Sequence, residues 1–204
     1  PKSKVSEEAL MWLGDYYLES SDFDNAIANY KKYIESFPGS KNLSLIYYEL
    51  GRAHQAKDEY DLAVSAFKHI DDSLDKELFE KAKLAIADIF SRDLDSESAI
   101  QTYENIINTS PEFKRNAYIR IANIHSKMKN YEKAIMAYKS ALNAKITTND
   151  YPNAKLQFFI ADAHELLNQP DLAIEEYLKI SYLYPTDAYW IIKAYLRMGR
   201  IFED

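Results

Sequence analysis

Two short stretches of this chain hold the residue types that metal chemistry uses. Residues 164–168 read His-Glu-Leu-Leu-Asn and place a histidine and a glutamate on one helical face, as in zinc peptidases, but Asn168 stands where the second histidine is required. Residues 71–75 are rich in aspartate, yet Lys76 and Ala82 stand where a calcium loop needs glycine and glutamate. Neither stretch predicts a metal site.

Three histidines recur at one position of a repeating pattern where other units carry an aromatic residue; the six are His54, His125, His164, Tyr17, Phe90 and Phe202. This exchange predicts that the histidines pack against a partner helix. Equivalent residues of stacked helical units are displaced by about 8–10 Å per step, which is too far for a shared metal ion. The chain has no cysteine, four glycines and no phosphate-cradling or nucleophile motif. We therefore expect no enzymatic activity, no metal and no cofactor.

The repeating pattern itself is a small residue, an alanine twelve residues later and an aromatic four residues beyond that. It occurs five times, as Gly14/Ala26/Tyr30, Gly51/Ala63/Phe67, Ala87/Ala99/Tyr103, Ala122/Ala134/Tyr138 and Ala161/Ala173/Tyr177. The alanines are 37, 36, 35 and 39 residues apart, so length varies between units and never within one. A fixed offset between two small residues indicates a fixed contact between two helices, and its recurrence indicates a stack of similar units.

The pattern divides the chain into units at about 7–40, 44–75, 80–111, 115–148, 154–186 and 192–204. The last unit is incomplete, because Met198 and Gly199 begin a sixth copy shortly before the sequence ends. We expect residues 1–204 to form one solenoid and to be part of a longer protein.

The pattern resembles the tetratricopeptide repeat, a pair of antiparallel helices with an aromatic, a Leu-Gly pair, a tyrosine, a later alanine and phenylalanine, and a closing proline. The first unit carries this set as Leu10, Leu13, Gly14, Tyr17, Ala26, Tyr30 and Pro38. The leading aromatic is replaced by Leu10, Lys83 and Gln157 in three units, and the closing proline is missing from two. The resemblance implies an all-α, right-handed α-solenoid of five helix hairpins plus the first helix of a sixth.

Helical periodicity supports the same fold, because apolar residues of the first helices fall at three- and four-residue steps. The small residue is expected to let the second helix approach closely at its alanine, so that a bulky substitution at either would overpack the crossing. The aromatic is expected to fill the space where consecutive units meet. Prolines and polar residues mark the turns at 38–40, 93–96, 108–111, 149–152, 168–171 and 184–187.

In the resembled family the first helices line a concave groove, and carrying that position over gives two rows. The apolar row is Met11, Tyr48, Leu84, Ile119, Phe158 and Leu196, and the polar row one turn further is Asp15, Arg52, Asp88, Asn123, Asp162 and Arg200. Such a groove suits an amphipathic helix or an extended segment of a partner. The other interpretation is that the apolar row packs against the neighbouring unit. Met11 and Asp15 disfavour the chaperone-type clamp, because an aspartate would repel a ligand carboxylate.

Charge is unevenly distributed along the chain. The whole sequence carries 25 basic and 32 acidic residues, a net charge of −7; residues 1–100 hold 12 and 20, and residues 101–204 hold 13 and 12. The acidic half repels phosphates, and no basic stripe interleaved with aromatics is present, so we expect no nucleic-acid partner. A partner with a basic patch would favour the first half, unless these charges serve only solubility. No apolar run approaches the roughly 20 residues that span a bilayer, so we expect no membrane insertion.

The joints between units resemble a particular branch of the superfamily. Residues 33–40 and 177–185 resemble the aromatic-Pro-x-Ser joint of bacterial cell-envelope repeat proteins, among them the periplasmic coordinator associated with the Tol-Pal system and the outer-membrane-assembly lipoprotein. The resemblance implies a periplasmic or envelope-associated protein, with a cytoplasmic location as the alternative. The absence of cysteine fits either compartment.

Three functions remain open. The first is an adaptor in a bacterial envelope complex that binds a peptide or helix of a partner protein. The second is a self-assembling element that associates through its open carboxyl-terminal end. The third is the interaction domain of a larger enzyme or of a motility or secretion machine. The first is the function that we expect.

Overall fold

The computed structural model describes residues 4–73, 75–92, 95–145 and 151–203. Within these ranges it consists of eleven α-helices and no strand, so the predicted all-α fold of helix hairpins is confirmed. The helices are α1 Lys4–Glu19, α2 Phe23–Ser36, α3 Leu43–Ala56, α4 Tyr60–Phe67, α5 Lys76–Arg92, α6 Ser96–Thr109, α7 Lys114–Lys127, α8 Tyr131–Asn143, α9 Asn153–Leu166, α10 Pro170–Leu183 and α11 Ala188–Glu203. Some predicted features lie partly or wholly outside the described residues. They are parts of the turns at 93–96 and 149–152, part of the acidic stretch at 71–75, the end of the fourth predicted unit, and Asp204.

The chain divides into two compact units, Pro1–Thr102 and Tyr103–Asp204, with the boundary inside α6. In unit 1, α1 packs against α2, α3 packs against α4, and α2 also contacts α3. In unit 2, α7 packs against α8 and α9 against α10, while α8 contacts α9 and α10 contacts α11. Each unit is thus built from hairpins of sequential helices that pack on the next hairpin.

Four hairpin turns share one backbone geometry. Ser21, Asp58, Lys129 and Asn168 have positive φ angles of 61°, 58°, 60° and 57°. The residue after each donates a hydrogen bond from its backbone N–H to the carbonyl of the residue five positions earlier, as Asp22 does to Tyr17 at 2.8 Å. This is the Schellman arrangement, which ends a helix and redirects the chain. It makes the second helix run back along the first.

The close approach within a hairpin is made by a glycine and an aromatic ring. A Cβ atom placed on Gly14 would lie 2.3 Å from Cε1 of Tyr30, and one on Gly51 would lie 2.5 Å from Cε1 of Phe67. The atoms nearest to an added Cβ at Gly14 and at Gly51 therefore belong to the aromatic ring of the same unit. Tyr30 also shares a core cluster with Ile46 of the next hairpin. The aromatic side chain thus fills both the space within its own hairpin and the space between consecutive hairpins.

A polar cluster closes the joint between the first two hairpins. The Tyr33 hydroxyl donates to Oε1 of Glu7 at 2.6 Å, and the Ser40 hydroxyl donates to the same oxygen at 2.5 Å. Tyr33 is fully buried. Ser40, the last residue of the predicted aromatic-Pro-x-Ser joint, thus holds the α2–α3 connection against α1.

A buried arginine has the corresponding role in unit 2. Arg115 is 2% exposed and donates to the carbonyl of Ala141 at 2.7 Å, to the carbonyl of Tyr151 at 2.8 Å and to Oδ1 of Asn153 at 2.9 Å. Burial lowers the pKa of its guanidinium. The side chain joins α7 to the end of α8 and to the start of α9.

Candidate partner-binding face

We define the first-helix face as the outward side chains of α1, α3 and α5 in unit 1 and of α7, α9 and α11 in unit 2, each unit being taken by itself. The structure places both predicted rows on these helices. In the apolar row, Met11, Tyr48 and Leu84 are half-buried, Ile119 and Phe158 are buried, and Leu196 is 62% exposed. In the polar row, Asp15, Asp88, Asn123 and Asp162 are half-buried, and Arg52 and Arg200 are exposed. That these residues bind a partner stays a prediction.

Two members of the polar row have an internal role that the sequence did not reveal. Asp15 accepts a 2.8 Å hydrogen bond from the hydroxyl of Tyr30, and Asn123 accepts one of the same length from Tyr138. The pairs are each fifteen residues apart, and both tyrosines are almost fully buried. Burial raises the pKa of both tyrosines, and the Asp15 carboxylate raises that of Tyr30 further. These contacts fix the side chains that border the face.

The exposed charge of the unit 1 face is partly neutralised. Arg52, half-exposed on α3, donates to Oε2 of Glu49 at 2.7 Å. Burial raises the pKa of Glu49, the Arg52 guanidinium opposes this shift, and the Asp15 carboxylate adds to it. Tyr48 packs on the ring of Phe67, with centroids 5.6 Å apart. On α3 this face therefore presents a tyrosine beside an ion pair.

The unit 2 face is built on a continuous aromatic cluster between α9 and α11. Phe158 lies 5.4 Å from Trp190 and 5.3 Å from Tyr177, measured between ring centroids, and Phe159 lies 6.2 Å from Trp190. Tyr189, 62% exposed, extends the cluster through an edge contact with Trp190 at 5.0 Å. Because Phe158 is 7% exposed, it belongs to the core beneath the face and not to its surface.

One arginine bridges two carboxylates of this face. Arg197 on α11 lies 2.8 Å from Oδ1 of Asp162 and 3.0 Å from Oε1 of Glu165, both on α9. The hydroxyl of Tyr177 donates to Oε2 of Glu165 at 3.1 Å. The guanidinium is thereby fixed across the two helices.

Two lysines lie over the aromatic cluster. The Lys155 ammonium is 3.9 Å from the ring centroid of Tyr151 and 5.8 Å from that of Phe159. The Lys193 ammonium is 5.1 Å from the ring centroids of Tyr189 and Trp190. These are cation–π contacts. Within the described part of the chain, neither ammonium has a carboxylate oxygen within 4 Å.

Sequence reasoning missed both lysines, although a signal was present. Lys155 and Lys193 stand six residues before the small residues Ala161 and Gly199, so they occupy equivalent positions in adjacent repeats. Lys81 has the same position in the third unit. If the units had been aligned on their small residues and compared at every position, not only at the two rows, this repeated lysine would have been found.

Two of the three repeated histidines contact a side chain five residues later in the chain. His54 is buried, and its Nδ1 lies 2.6 Å from Oε2 of Glu59; Nδ1 of His164 lies 2.7 Å from Oε1 of Gln169. Nδ1 of His125 is buried and makes no hydrogen bond to any residue that the structure describes. Over the same residues, no three His, Cys, Asp or Glu side chains are grouped so as to hold a metal ion.

A search for membrane spans among the described helices found none with the length and apolar character needed to cross a bilayer.

Several solved structures share this fold. A MamA protein structure has a TM-score of 0.69 at 21% sequence identity, with 90% of this chain and 94% of that chain covered. The apo form of RapI has a TM-score of 0.77 at 13% identity, with 99% of this chain and 61% of that chain covered. A tetratricopeptide repeat protein from Parabacteroides merdae has a TM-score of 0.68 at 14% identity, with 97% and 76% covered. A search of curated proteins found no match.

Hairpins of sequential helices that pack on the next hairpin, with side chains displayed on their first helices, define a helical-repeat protein. Two family models, both described as tetratricopeptide repeat, match the sequence, one at residues 8–40 and the other at 42–70, 116–145 and 154–187. Together they match more than half of the chain, although not the third predicted unit. The chain belongs to the tetratricopeptide repeat family.

Proposed function

We propose that this protein is a non-catalytic interaction scaffold, an adaptor that binds a peptide or helix of a partner protein on its first-helix face. The observation that carries the proposal is the preorganised surface of unit 2. Arg197 is held by two carboxylates, and the rings around Trp190 are locked against one another. Because such side chains lose little freedom on binding, they lower the entropic cost of association.

The face also combines the chemistries that peptide recognition uses. Leu196 and Tyr189 are both 62% exposed and lie on α11 together with Lys193 and Arg200. An apolar strip beside cationic groups accommodates an amphipathic segment, whose apolar side enters the strip while its polar side meets the charges. We place this scaffold in a bacterial envelope complex, and the support for that location is the resemblance of residues 33–40 and 177–185 to envelope-protein joints.

The test begins with a partner isolated from the native source and identified by crosslinks to the first helices. Calorimetric titration of the purified partner should then show at least tenfold weaker binding for Leu196→Ser and for Arg200→Ala, both at exposed positions of α11. The matched control is Met136→Ser on α8, a second helix, where the side chain is 69% exposed. Loss of affinity in the control, with both first-helix variants unaffected, would refute the proposal.

A second candidate function is favoured by α11 itself. This helix exposes five large apolar side chains, Tyr189, Ile192, Tyr195, Leu196 and Phe202. Such a concentration of exposed apolar residues marks a contact surface. Self-association through α11 would give a mass that rises with concentration in light scattering, and Ile192→Asp should abolish the rise. A constant monomer mass up to high micromolar concentration would exclude this candidate.

A further inference from the structure

We propose that the first-helix face of unit 2 binds a partner-protein segment in which aspartate or glutamate residues flank an aromatic or large aliphatic side chain. The proposal rests on the proposed function and specifies the chemistry of the partner. The binding groups are Lys155 and Lys193 over the aromatic cluster, with Arg200 further along α11.

The charge balance of this face is positive after internal pairing. Arg197 engages both Asp162 and Glu165, which leaves one net negative charge in that group. Lys155, Lys193 and Arg200 add three positive charges and have no ion pair with any described residue. These six side chains therefore carry a net charge of about +2, and Glu203 at the end of α11 lowers the sum for α9 and α11 to about +1, which is still positive.

The lysines lack the partners that an ammonium group usually finds. Each ammonium has three N–H donors, and a ring face satisfies charge without accepting a conventional hydrogen bond. A carboxylate placed against Lys155 or Lys193 would receive charge-assisted hydrogen bonds, which are about twice as strong as neutral ones. The apolar side chain of the same segment would pack against the exposed Leu196 and against the part of Tyr189 that Lys193 leaves uncovered.

The geometry favours a protein segment over single-stranded nucleic acid. Nucleic-acid binding surfaces of this kind present open ring faces on which bases stack. Here Lys193 lies over Tyr189 and Trp190, Lys155 lies over Tyr151, and Phe158 is buried.

The experiment uses the full chain and four fluorescein-labelled probes in anisotropy titrations. Three are twelve-residue peptides: one with a central phenylalanine between glutamates, one with serine in place of that phenylalanine, and one with lysines in place of the glutamates. The fourth is a twelve-nucleotide oligothymidine. Only the first probe should bind saturably, and its affinity should fall at least fivefold between 50 and 500 mM salt, since the contact is partly ionic.

Charge variants locate the binding. K155E/K193E should weaken binding of the first peptide at least tenfold, and K155Q/K193Q should weaken it by a smaller factor while leaving the fold intact by circular dichroism. The matched control K133E/K145E makes the same change in net charge at exposed lysines on and just after α8. It should bind like the parent chain. Four results would each overturn the inference. Two concern the first peptide: it does not bind, or it loses as much affinity for the control variant as for K155E/K193E. The other two are saturable binding of the serine peptide at equal affinity and tight binding of oligothymidine.

The two proposals fail in different ways. If the purified native partner binds more weakly to the Leu196→Ser variant but equally well to K155E/K193E, the scaffold function stands and the acidic-segment inference is wrong. If no first-helix substitution changes the affinity of the native partner, the proposed function itself is wrong.

Discussion

Replacement of Gly14 by alanine should destabilise unit 1, although alanine is the better helix former. In an open helix the change would gain about 1 kcal/mol. At Gly14 the added Cβ would lie 2.3 Å from Cε1 of Tyr30, and two further atoms of the same ring lie within 2.9 Å. Tyr30 is fully buried, and its hydroxyl is bound to Asp15, so the ring has little room to move.

Overpacking of a buried site costs about 1–3 kcal/mol, and this cost exceeds the propensity gain. We therefore expect Gly14→Ala to lower the free energy of unfolding by about 1 kcal/mol. The sequence supplies a matched control at Gly199 on α11, where an added Cβ meets nothing within 4 Å. Gly199→Ala should raise the stability of unit 2 by about 1 kcal/mol, since only helix propensity changes there.

Urea unfolding followed by tryptophan emission separates the two units, because the chain has two tryptophans, Trp12 in unit 1 and Trp190 in unit 2. Unit 1 is followed in a Trp190→Phe background and unit 2 in a Trp12→Phe background. A double-mutant cycle with Tyr30→Leu isolates the ring contact. In that background Gly14→Ala should become stabilising.

The reasoning would be refuted if Gly14→Ala and Gly199→Ala raised stability equally. It would also be refuted if Gly14→Ala remained equally destabilising after Tyr30→Leu, because the ring would then not be the source of the clash.

Three other predictions concern unit 2. Arg115→Met should lower its free energy of unfolding by about 3 kcal/mol, because one buried and two partly buried acceptors lose a charged donor. Urea unfolding of unit 2 should shift while Trp12 emission is unchanged. Lys129→Gly should stabilise by about 1 kcal/mol, since φ is 60° there, and Lys129→Ala in the same urea titration should give no gain. Burial and the Lys133 charge lower the pKa of His125 below its value of 6.5 in the unfolded chain. The folded state therefore favours neutral His125, so the free energy of unfolding is unaffected by this group above pH 6.5 and decreases as the pH falls below it. His125→Phe should remove that loss, which would show as a smaller change in urea midpoint between pH 7.5 and pH 5; an unchanged pH dependence would contradict this assignment.

The hairpins could be predicted because their signal is a distance along the chain. The constant twelve-residue offset between small residues, with the aromatic four residues later, does not depend on side-chain conformation. The same offset could not show which atoms touch. Gly14 meets the ring of Tyr30 because the tyrosine side chain points back along its helix toward the first helix, a direction that a spacing does not specify.

Other features escaped prediction because their residue types do not indicate their environment. Ser21, Asp58 and Lys129 adopt a positive φ that sequence reasoning looks for at glycine. Arg115 looks like a surface cation, and only the structure shows that it is 2% exposed. Gln157, which departs from the family pattern at an aromatic position, is buried and donates to Oε2 of Glu176 at 2.5 Å.

The rows of the candidate site illustrate the same limit. Helical spacing placed Phe158 and Leu196 in one row, but Phe158 is 7% exposed and Leu196 is 62% exposed. Phe158 on α9 is covered by Trp190 and Lys193 of α11, the next first helix. Exposure at a repeated position thus depends on which side chains of the next first helix cover it, and no described helix follows α11.

The central claim, that partners bind the first-helix face, is tested most directly by hydroxyl-radical footprinting of the chain with and without saturating purified partner. Tyr189 and Leu196 on a first helix and Met136 and Leu172 on second helices are all more than 40% exposed and all react. The account predicts that the partner protects Tyr189 and Leu196 and leaves Met136 and Leu172 unchanged. Protection of Met136 and Leu172, with Tyr189 and Leu196 reacting as in the free chain, would contradict it.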